Sequence, residues 1–268
     1  MSERSRYDVW DVGDSYDAYM GRWSRQIAPL FLDWLDEPPG LDWLEVGCGT
    51  GALSTEILER CAPKSLISID TSEGFITRAR ATVCDGRAEF LIGDGQALAQ
   101  QTASRDVAVS ALVLNFVPDK VKTLAEMRRV VHPGGTVGFY VWDYPGGGLE
   151  FLSAFWTVAA ELDPVAEDLT EDKRFPFCTP NSLIDLARNA GLLSIECAPI
   201  EAPTKFKDFE DYWRPFTLGA GPAPGYYMSL PAEARQRLKD RLYEDFARRV
   251  NEAILMKARA WAIKSVAA

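Results

Sequence analysis

From residue 41 onward, short apolar segments alternate with segments in which apolar residues recur every three or four positions. The short segments predict buried strands, and the recurring spacing predicts amphipathic helices. Their alternation is typical of an α/β fold with a doubly wound, mostly parallel seven-stranded sheet covered by helices. Predicted strands lie at residues 41–46, 65–70, 89–92, 106–114, 136–142, 192–197 and 254–264.

Two segments interrupt this alternation. Residues 143–178 contain the turn-forming sequence YPGGG followed by a helical pattern, and residues 200–252 contain the aromatic stretch DFEDYWRPF and a charged helix. We interpret both segments as helical cap insertions that bind a substrate. The predicted organisation is an N-terminal helical segment over the ligand site at 1–40, a core at 41–142, 179–199 and 253–264, and caps at 143–178 and 200–252.

The charge balance narrows the range of partners. The chain of 268 residues has 39 acidic and 29 basic side chains and a formal charge of −10, which disfavours nucleic acid as a partner. Its five cysteines show no metal-ligand or disulfide spacing, so we expect no metal and a reducing, cytoplasmic location. No apolar run is long enough to predict a membrane span or a secretion signal. The sequence is compatible with a homodimer.

The stretch LDWLEVGCGTGAL at residues 41–53 predicts a strand that ends in a glycine-rich turn before a helix. Gly47, Gly49 and Ala52 satisfy the G-x-G-x-x-G/A pattern of a dinucleotide site. Gly47, Gly49 and Gly51 equally satisfy a tighter pattern, suited to a nucleoside cofactor without phosphates. Backbone amides at such a helix start bind either a pyrophosphate or an amino-acid carboxylate. The turn alone therefore leaves both cofactors open.

Three acidic residues bear on this choice. Glu45, two residues before the first glycine, would repel a pyrophosphate but suits an ammonium group, held through neighbours or water. Asp70 ends the second strand and can accept hydrogen bonds from both ribose hydroxyls in either kind of site. Asp94 follows the third strand and can accept from an adenine amino group, with the amide of Gly95 or Gln96 at a ring nitrogen. Asp94 favours S-adenosylmethionine, because dinucleotide sites rarely need this second acid.

The block DVAVSALVLNFVPDKVKTLAEMRRVVHPGGTVGF, with LEVGCGTG, SID and GDGQA before it, resembles the motif series of class I S-adenosylmethionine-dependent methyltransferases over residues 41–142. The preceding YDAYMGRWSRQIAPLFLDWL is similar to the N-terminal segment of ubiquinone/menaquinone-type small-molecule methyltransferases. This resemblance implies a Rossmann-like methyltransferase fold and S-adenosylmethionine as methyl donor, with S-adenosylhomocysteine as product and no metal. It further implies direct in-line transfer to a small-molecule acceptor.

The resemblance also supplies most of the predicted site. The glycines admit the methionine part of the cofactor, and Asp70 and Asp94 hold its ribose and adenine. The predicted cofactor-binding residues are Tyr19, Arg22, Glu45, Gly47, Cys48, Gly49, Thr50, Gly51, Asp70, Thr71, Ser72, Phe75, Asp94, Gly95, Gln96, Ser110, Ala111, Leu112, Asn115 and Phe116. Aromatic residues in loop-rich regions are predicted to bind the acceptor, namely Tyr16, Trp142, Tyr144, Trp213 and Tyr226. No catalytic residue is assigned.

Two other functions are compatible with a glycine-rich turn of this kind. An NAD(P)-dependent oxidoreductase would need a Tyr-x-x-x-Lys or histidine proton relay, and none stands in a suitable place. The single histidine, His132, precedes the fifth strand, so we expect it in a helix-to-strand turn, away from the carboxyl ends of the strands. A non-catalytic, S-adenosylmethionine-binding regulatory subunit is the second alternative, because residues that bind the cofactor do not prove turnover.

Overall fold

The structure is a computed structural model that describes residues 17–219, 221–247 and 253–268. Its centre is a seven-stranded sheet with the strand order β3-β2-β1-β4-β5-β7-β6. The strands are β1 (Asp42–Val46), β2 (Ser65–Asp70), β3 (Ala88–Ile92), β4 (Arg105–Ala111), β5 (Val131–Trp142), β6 (Leu193–Phe206) and β7 (Ile254–Val266).

Helices connect most of the strands. The α-helices are α1 (Arg22–Leu35), α2 (Ala52–Arg60), α3 (Glu73–Thr82), α4 (Lys120–Val130), α5 (Glu150–Leu162), α6 (Glu171–Arg174), α7 (Pro180–Asn189), α8 (Phe209–Trp213), α9 (Pro222–Ser229) and α10 (Ala232–Ala247). A π-helical turn covers Asp17–Gly21, and 3₁₀ turns cover Pro164–Leu169 and Arg214–Leu218. None of the helices in the described ranges has the length and apolar character needed to cross a bilayer.

The pairing of the strands confirms the predicted fold class. The pairs β1–β2, β2–β3, β1–β4 and β4–β5 are parallel, whereas β5 and β7 are antiparallel. Central strands carry continuous apolar runs because parallel sheets are covered on both faces. Their side chains Trp43, Leu44, Val107, Val109 and Phe139 are fully buried. The sequence therefore forms a mostly parallel, Rossmann-like sheet flanked by helices.

β5 and β6 differ most from their predicted bounds. β5 begins at Val131, so exposed His132 lies in a strand and not in the expected turn. A register shift between Arg105 and Val107 accompanies this early start of the pairing with β4. β6 extends to Phe206, well past the predicted end, although Pro199 and Pro203 lie within it. Proline is tolerated there because β6 is an edge strand, where an amide need not be paired.

Contacts divide the chain into two compact units. The sheet unit contains Ser24–Trp142, Phe177–Ile200 and Ala260–Ala268. The aromatic unit contains the described residues within Met1–Trp23, Asp143–Pro176 and Glu201–Arg259, and the predicted 1–40 segment is thus divided at Trp23. The core of the aromatic unit consists of packed rings that are at most 2% exposed, among them Tyr19, Trp23, Phe151, Phe155, Phe206, Tyr212 and Phe216.

Candidate cofactor-binding site

The glycine turn lies between β1 and α2 in the sheet unit. Gly47, Gly49 and Gly51 have φ angles of +79°, +53° and +90°, in the left-handed region that favours glycine. The amides of Gly47 and Cys48 donate to the Ile69 carbonyl oxygen at 2.8 and 3.0 Å. These bonds tie the turn to the end of β2, and the chain then enters α2 with its first-turn amides lacking intrahelical acceptors.

The space around the three glycines differs. A methyl group at Gly47 would lie 2.3 Å from Val113 Cγ2, and one at Gly51 would lie 2.9 Å from Val83 Cγ2. A methyl group at Gly49 would meet no atom within 4 Å. Packing therefore requires glycine at the first and third positions. The second position leaves open space beside the backbone, which fits the close approach of a cofactor's methionine part.

Asp70 at the end of β2 links the glycine turn to α3. Its Oδ2 accepts from the Gly49 amide and its Oδ1 accepts from the Ser72 amide, both at 2.9 Å. Ser72 then caps α3 by accepting from the Phe75 amide at 3.3 Å. Each carboxylate oxygen has two lone pairs, so each retains one acceptor position. The carboxylate can therefore accept hydrogen bonds from two ribose hydroxyls while it still holds the glycine turn and the start of α3. Thr71, which is exposed, and Phe75, which is half-buried, lie beside it after the end of β2.

Asp94 begins the turn after β3. Its Oδ1 accepts from the Gln96 backbone amide at 2.8 Å. This bond and the hydrogen bonds from the Gln96 side chain lower the pKa of Asp94. Gln96 Oε1 in turn accepts from the Asp119 amide, just before α4. A methyl group at Gly95 would lie 2.7 Å from Val46 Cγ1, so this turn lies directly against the end of β1. An exposed, ionised carboxylate suits an adenine amino group.

The end of β4 completes this edge of the sheet unit. Ser110 is buried, and its hydroxyl donates to the Val46 carbonyl oxygen at 2.9 Å. β4 ends at Ala111, earlier than predicted, because Leu112 turns into the left-handed region with φ +59°. Asn115 is buried and accepts from the Cys178 thiol at 3.8 Å, whereas Phe116 is half exposed. The structure thus brings the ends of β1, β2, β3 and β4 together.

Glu45 does not lie on the open side of this site. Its side chain is buried, and the hydroxyls of Ser54 and Ser68 both donate to its Oε2. Ser68 is the register partner of Glu45 on β2, and Ser54 belongs to α2. Burial raises the pKa of Glu45 to about 7. The geometry makes Glu45 a support for β1, β2 and α2, and its interaction with an ammonium group through neighbours or water stays a prediction.

A pH dependence of stability follows from Glu45. A folded-state pKa of about 7, above the usual 4.5, favours folding at low pH, and this contribution is lost as the pH rises through 7. We expect Glu45→Gln to remove that loss. Between pH 5 and pH 8 the free energy of unfolding of the wild type should therefore fall by about 2 kcal/mol relative to that of the variant. Urea unfolding at both pH values measures this difference. Glu59→Gln on the exposed side of α2 is the control, and an equal slope in all three proteins would contradict the prediction.

Cys48 and Thr50 occupy the turn between the glycines. Cys48 packs with Ile76, Ala79 and Phe90, and burial raises the pKa of its thiol. A buried thiol with a raised pKa is a poor nucleophile, so Cys48 acts in packing. Thr50 is half-buried at the tip of the turn. Among the residues that the structure describes, no three histidine, cysteine or acidic side chains form a metal site.

Tyr19 and Arg22 belong to the aromatic unit. Both terminal nitrogens of Arg22 donate to Asp211, at 2.9 and 3.3 Å, and the guanidinium lies 4.3 Å from the Trp23 ring. Tyr19 packs edge-on against Phe151, and its buried hydroxyl has no hydrogen-bond partner in the described ranges. The structure therefore gives Arg22 a structural partner that the sequence did not reveal. A contact of either residue with a cofactor carboxylate stays a prediction.

The predicted acceptor-binding residues occupy different places. Tyr16 lies outside the described residues, and Trp142 is buried at the end of β5 in the sheet unit. Trp213 stacks on Phe209, and buried Tyr226 donates to Asp163 at 3.0 Å. Tyr144 lines a cavity of about 310 Å³ in the aromatic unit.

Sequence reasoning missed two residues of that cavity, Trp156 and Glu171. Trp156 looks like one more apolar position of an amphipathic helix, and Glu171 looks like one acid in a charged loop. A pattern of apolar and polar positions gives no signal for a carboxylate that tertiary packing buries.

Comparisons with known proteins agree with this geometry. A family model described as a methyltransferase domain matches residues 44–139. Nocamycin O-methyltransferase from Saccharothrix syringae is 28% identical over 193 residues, or 67% of this chain and 69% of the relative. The ubiquinone/menaquinone biosynthesis C-methyltransferase UbiE from Dinoroseobacter shibae is 30% identical over 174 residues, or 63% of this chain and 67% of the relative.

A solved structure shares the fold. Phosphoethanolamine N-methyltransferase 2 from Haemonchus contortus, in complex with S-adenosyl-L-methionine, is 14% identical with a TM-score of 0.62. The alignment covers 99% of this chain and 60% of that chain. The motif series, the arrangement of the glycine turn with Asp70 and Asp94, and these relatives lead to one assignment. The chain belongs to the class I S-adenosylmethionine-dependent methyltransferases.

Proposed function

We propose that this enzyme transfers the methyl group of S-adenosylmethionine to a small-molecule acceptor. The observation that carries the proposal is the cavity of about 310 Å³ in the aromatic unit, a volume suited to a small ligand. The names of two relatives support it, because they describe a nocamycin O-methyltransferase and a ubiquinone/menaquinone biosynthesis C-methyltransferase. The formal charge of −10 also disfavours a nucleic-acid acceptor.

The residues of the sheet unit fit this cofactor. Open space beside Gly49 and the amides of the α2 start would receive the methionine carboxylate. The two free acceptor positions of Asp70 suit the ribose hydroxyls, and Asp94 with Gln96 suits the adenine edge. S-adenosylmethionine supplies, when bound, an electrophilic methyl group on a positively charged sulfur.

We propose that the transfer is a direct in-line displacement. An electron pair of the acceptor forms the bond to the methyl carbon, while the electrons of the carbon–sulfur bond stay on the sulfur of S-adenosylhomocysteine. The reaction needs no covalent intermediate on the protein, so the contribution of the chain is to align the two reactants and to exclude water. The buried, unreactive thiol of Cys48 agrees with this division of roles.

Calorimetric titration and a methylation screen test the proposal. We expect the protein to bind S-adenosylhomocysteine and not NAD, and to add one methyl group to a component of a small-metabolite extract supplied with S-adenosylmethionine. Mass spectrometry detects the gain of one methyl group. Binding of S-adenosylhomocysteine without any methylated small molecule would contradict the proposed acceptor class, and binding of NAD alone would contradict the cofactor assignment.

The cellular location and the oligomeric state also stay predictions. A cytoplasmic location is supported by the five cysteines of the sequence, whose spacing does not suggest a disulfide framework. A homodimer is compatible with the chain, and light scattering on the purified protein measures the mass that decides this.

A further inference from the structure

The cavity in the aromatic unit has a buried floor and an open mouth. Leu149, Leu152, Trp156 and Glu171 line its floor and are 2 to 5% exposed. Ser153 and Glu167 line it from exposed positions. The cavity is therefore accessible to a ligand, whose inner part would meet apolar and aromatic side chains and one carboxyl group.

Glu171 is the unusual member of this floor. The Trp156 indole N–H donates to its Oε2 at 2.5 Å, and the positive charge of Arg174 on the same helix also favours the ionised carboxylate. A buried carboxylate is nevertheless costly, because its charge has lost the solvation by water. Burial accordingly raises the pKa of Glu171 to about 7. A cationic ligand in the cavity would add a counter-charge beside the buried carboxylate.

The remaining side chains of the wall point to the same ligand class. Glu167 and Asp172 add two more acidic groups, and no lysine or arginine is found among the described residues that line the cavity. Tyr144 and Trp156 contribute aromatic rings, which attract cations through their negative faces. An acidic, aromatic wall attracts an organic cation and repels carboxylates and phosphates.

We propose that this cavity binds the methyl acceptor through a compact organic ammonium group, with the Glu171 carboxylate as counter-ion and Trp156 and Tyr144 as aromatic walls. The inference rests on the proposed function and deepens it, since it names the chemical class of the acceptor. Glu171 is a binding residue in this proposal. No proton transfer is assigned to it.

Calorimetry with a matched pair of probes tests the site on the full chain. Choline carries a permanent positive charge, and 3,3-dimethylbutan-1-ol has nearly the same shape without the charge. We expect choline to bind at least tenfold more tightly than the alcohol. Glu171→Gln keeps an acceptor for the Trp156 N–H but removes the charge, so it should weaken choline binding at least tenfold and leave the alcohol within twofold.

The pH dependence provides a second readout. Choline does not titrate, so its affinity should rise between pH 6 and pH 8 as Glu171 loses its proton, and the rise should vanish in Glu171→Gln. The charged and titratable groups facing Glu171 are Asp172 and Arg174 on its own helix, Glu167 across the cavity, and the tyrosines Tyr19 and Tyr144. Asp172 is half-buried and Glu167 is exposed, and burial raises the pKa of Tyr19 well above its usual value.

Two further variants separate a site from a general charge effect. Ser153→Trp places a large side chain at the exposed rim and should abolish binding of both probes without disturbing the core. Asp185→Asn removes one negative charge from an exposed ion pair with Arg188 on α7 and should leave choline affinity unchanged. Circular dichroism verifies that each variant is folded. Equal choline affinity in the wild type, Glu171→Gln and Ser153→Trp would overturn the inference.

A fractionated methylation screen distinguishes this inference from the proposed function. The metabolite extract is divided by cation exchange into a cationic pool and a non-cationic pool, and each is supplied with enzyme and S-adenosylmethionine. We expect the methylated product in the cationic pool. A product confined to the other pool would overturn the ammonium inference and leave the proposed function intact. No product in either pool would overturn the proposed function and with it the acceptor role of the cavity.

Discussion

Replacing Asp70 by alanine should weaken the binding of S-adenosylhomocysteine about 100-fold or more. The substitution removes the acceptor for two ribose hydroxyls, and charged hydrogen bonds of this kind contribute ~1.5–3 kcal/mol each. It also removes the acceptor of the Gly49 and Ser72 amides, so the glycine turn and the start of α3 lose their common support. Isothermal titration calorimetry at constant pH measures the change.

Two companions define what the Asp70 result means. Asp70→Asn keeps one carbonyl acceptor but turns an NH₂ group toward one of the two amides, so an intermediate loss of ~10-fold is expected. Asp185→Ala removes an exposed carboxylate that pairs with Arg188, and it should leave the affinity unchanged. An Asp70→Ala variant that binds S-adenosylhomocysteine as tightly as the wild type would show that the ribose assignment is wrong.

Replacing Gly47 by alanine should reduce both stability and cofactor binding. The added methyl group would lie 2.3 Å from Val113 Cγ2, and the φ angle of +79° is unfavourable for any residue with a Cβ atom. Overpacking and backbone strain together should lower the free energy of unfolding by about 2–4 kcal/mol. Urea unfolding measures this loss, and calorimetry should show that S-adenosylhomocysteine binding is lost with it.

The double variant Gly47→Ala/Val113→Ala separates the two causes. Shortening Val113 removes the colliding methyl groups but leaves the φ angle, so part of the stability should return. Gly86→Ala is the matched glycine control, because a methyl group there meets no atom within 4 Å. If the double variant is no more stable than Gly47→Ala alone, the collision with Val113 is not the source of the loss.

Local pattern was enough to predict the sheet and the residues at its carboxyl edge. The apolar run that ends at Val46, the glycines that follow, and the acids that end β2 and follow β3 are each determined by neighbours in the sequence. Parallel strands then bring those ends to one edge. This is why Gly49 and Asp70, 21 positions apart in the chain, are in contact.

Features that depend on distant packing were missed. The partner of Arg22 is Asp211, 189 positions away, and no local pattern connects the two. By sequence, Glu171 and Glu45 are typical charged residues. In the structure both side chains are buried, Glu45 against α2 and β2 and Glu171 against α5. The predicted strand at 192–197 is shorter than β6, because the edge position that tolerates the prolines of β6 is a property of the whole sheet.

The backbone N–H groups of Gly49 and Ser72 donate hydrogen bonds to the Asp70 carboxylate, and these bonds affect the thermodynamics of cofactor binding. Both loops proposed to contact it are held by one carboxylate before any ligand arrives, so their conformational entropy is lost on folding and not on binding. Such preorganisation favours rapid association and a heat-capacity change that reflects only the apolar surface covered by the ligand. The glycine turn is therefore preorganised for the cofactor. We expect variants of the turn that differ in affinity for S-adenosylhomocysteine to differ mainly in its dissociation rate.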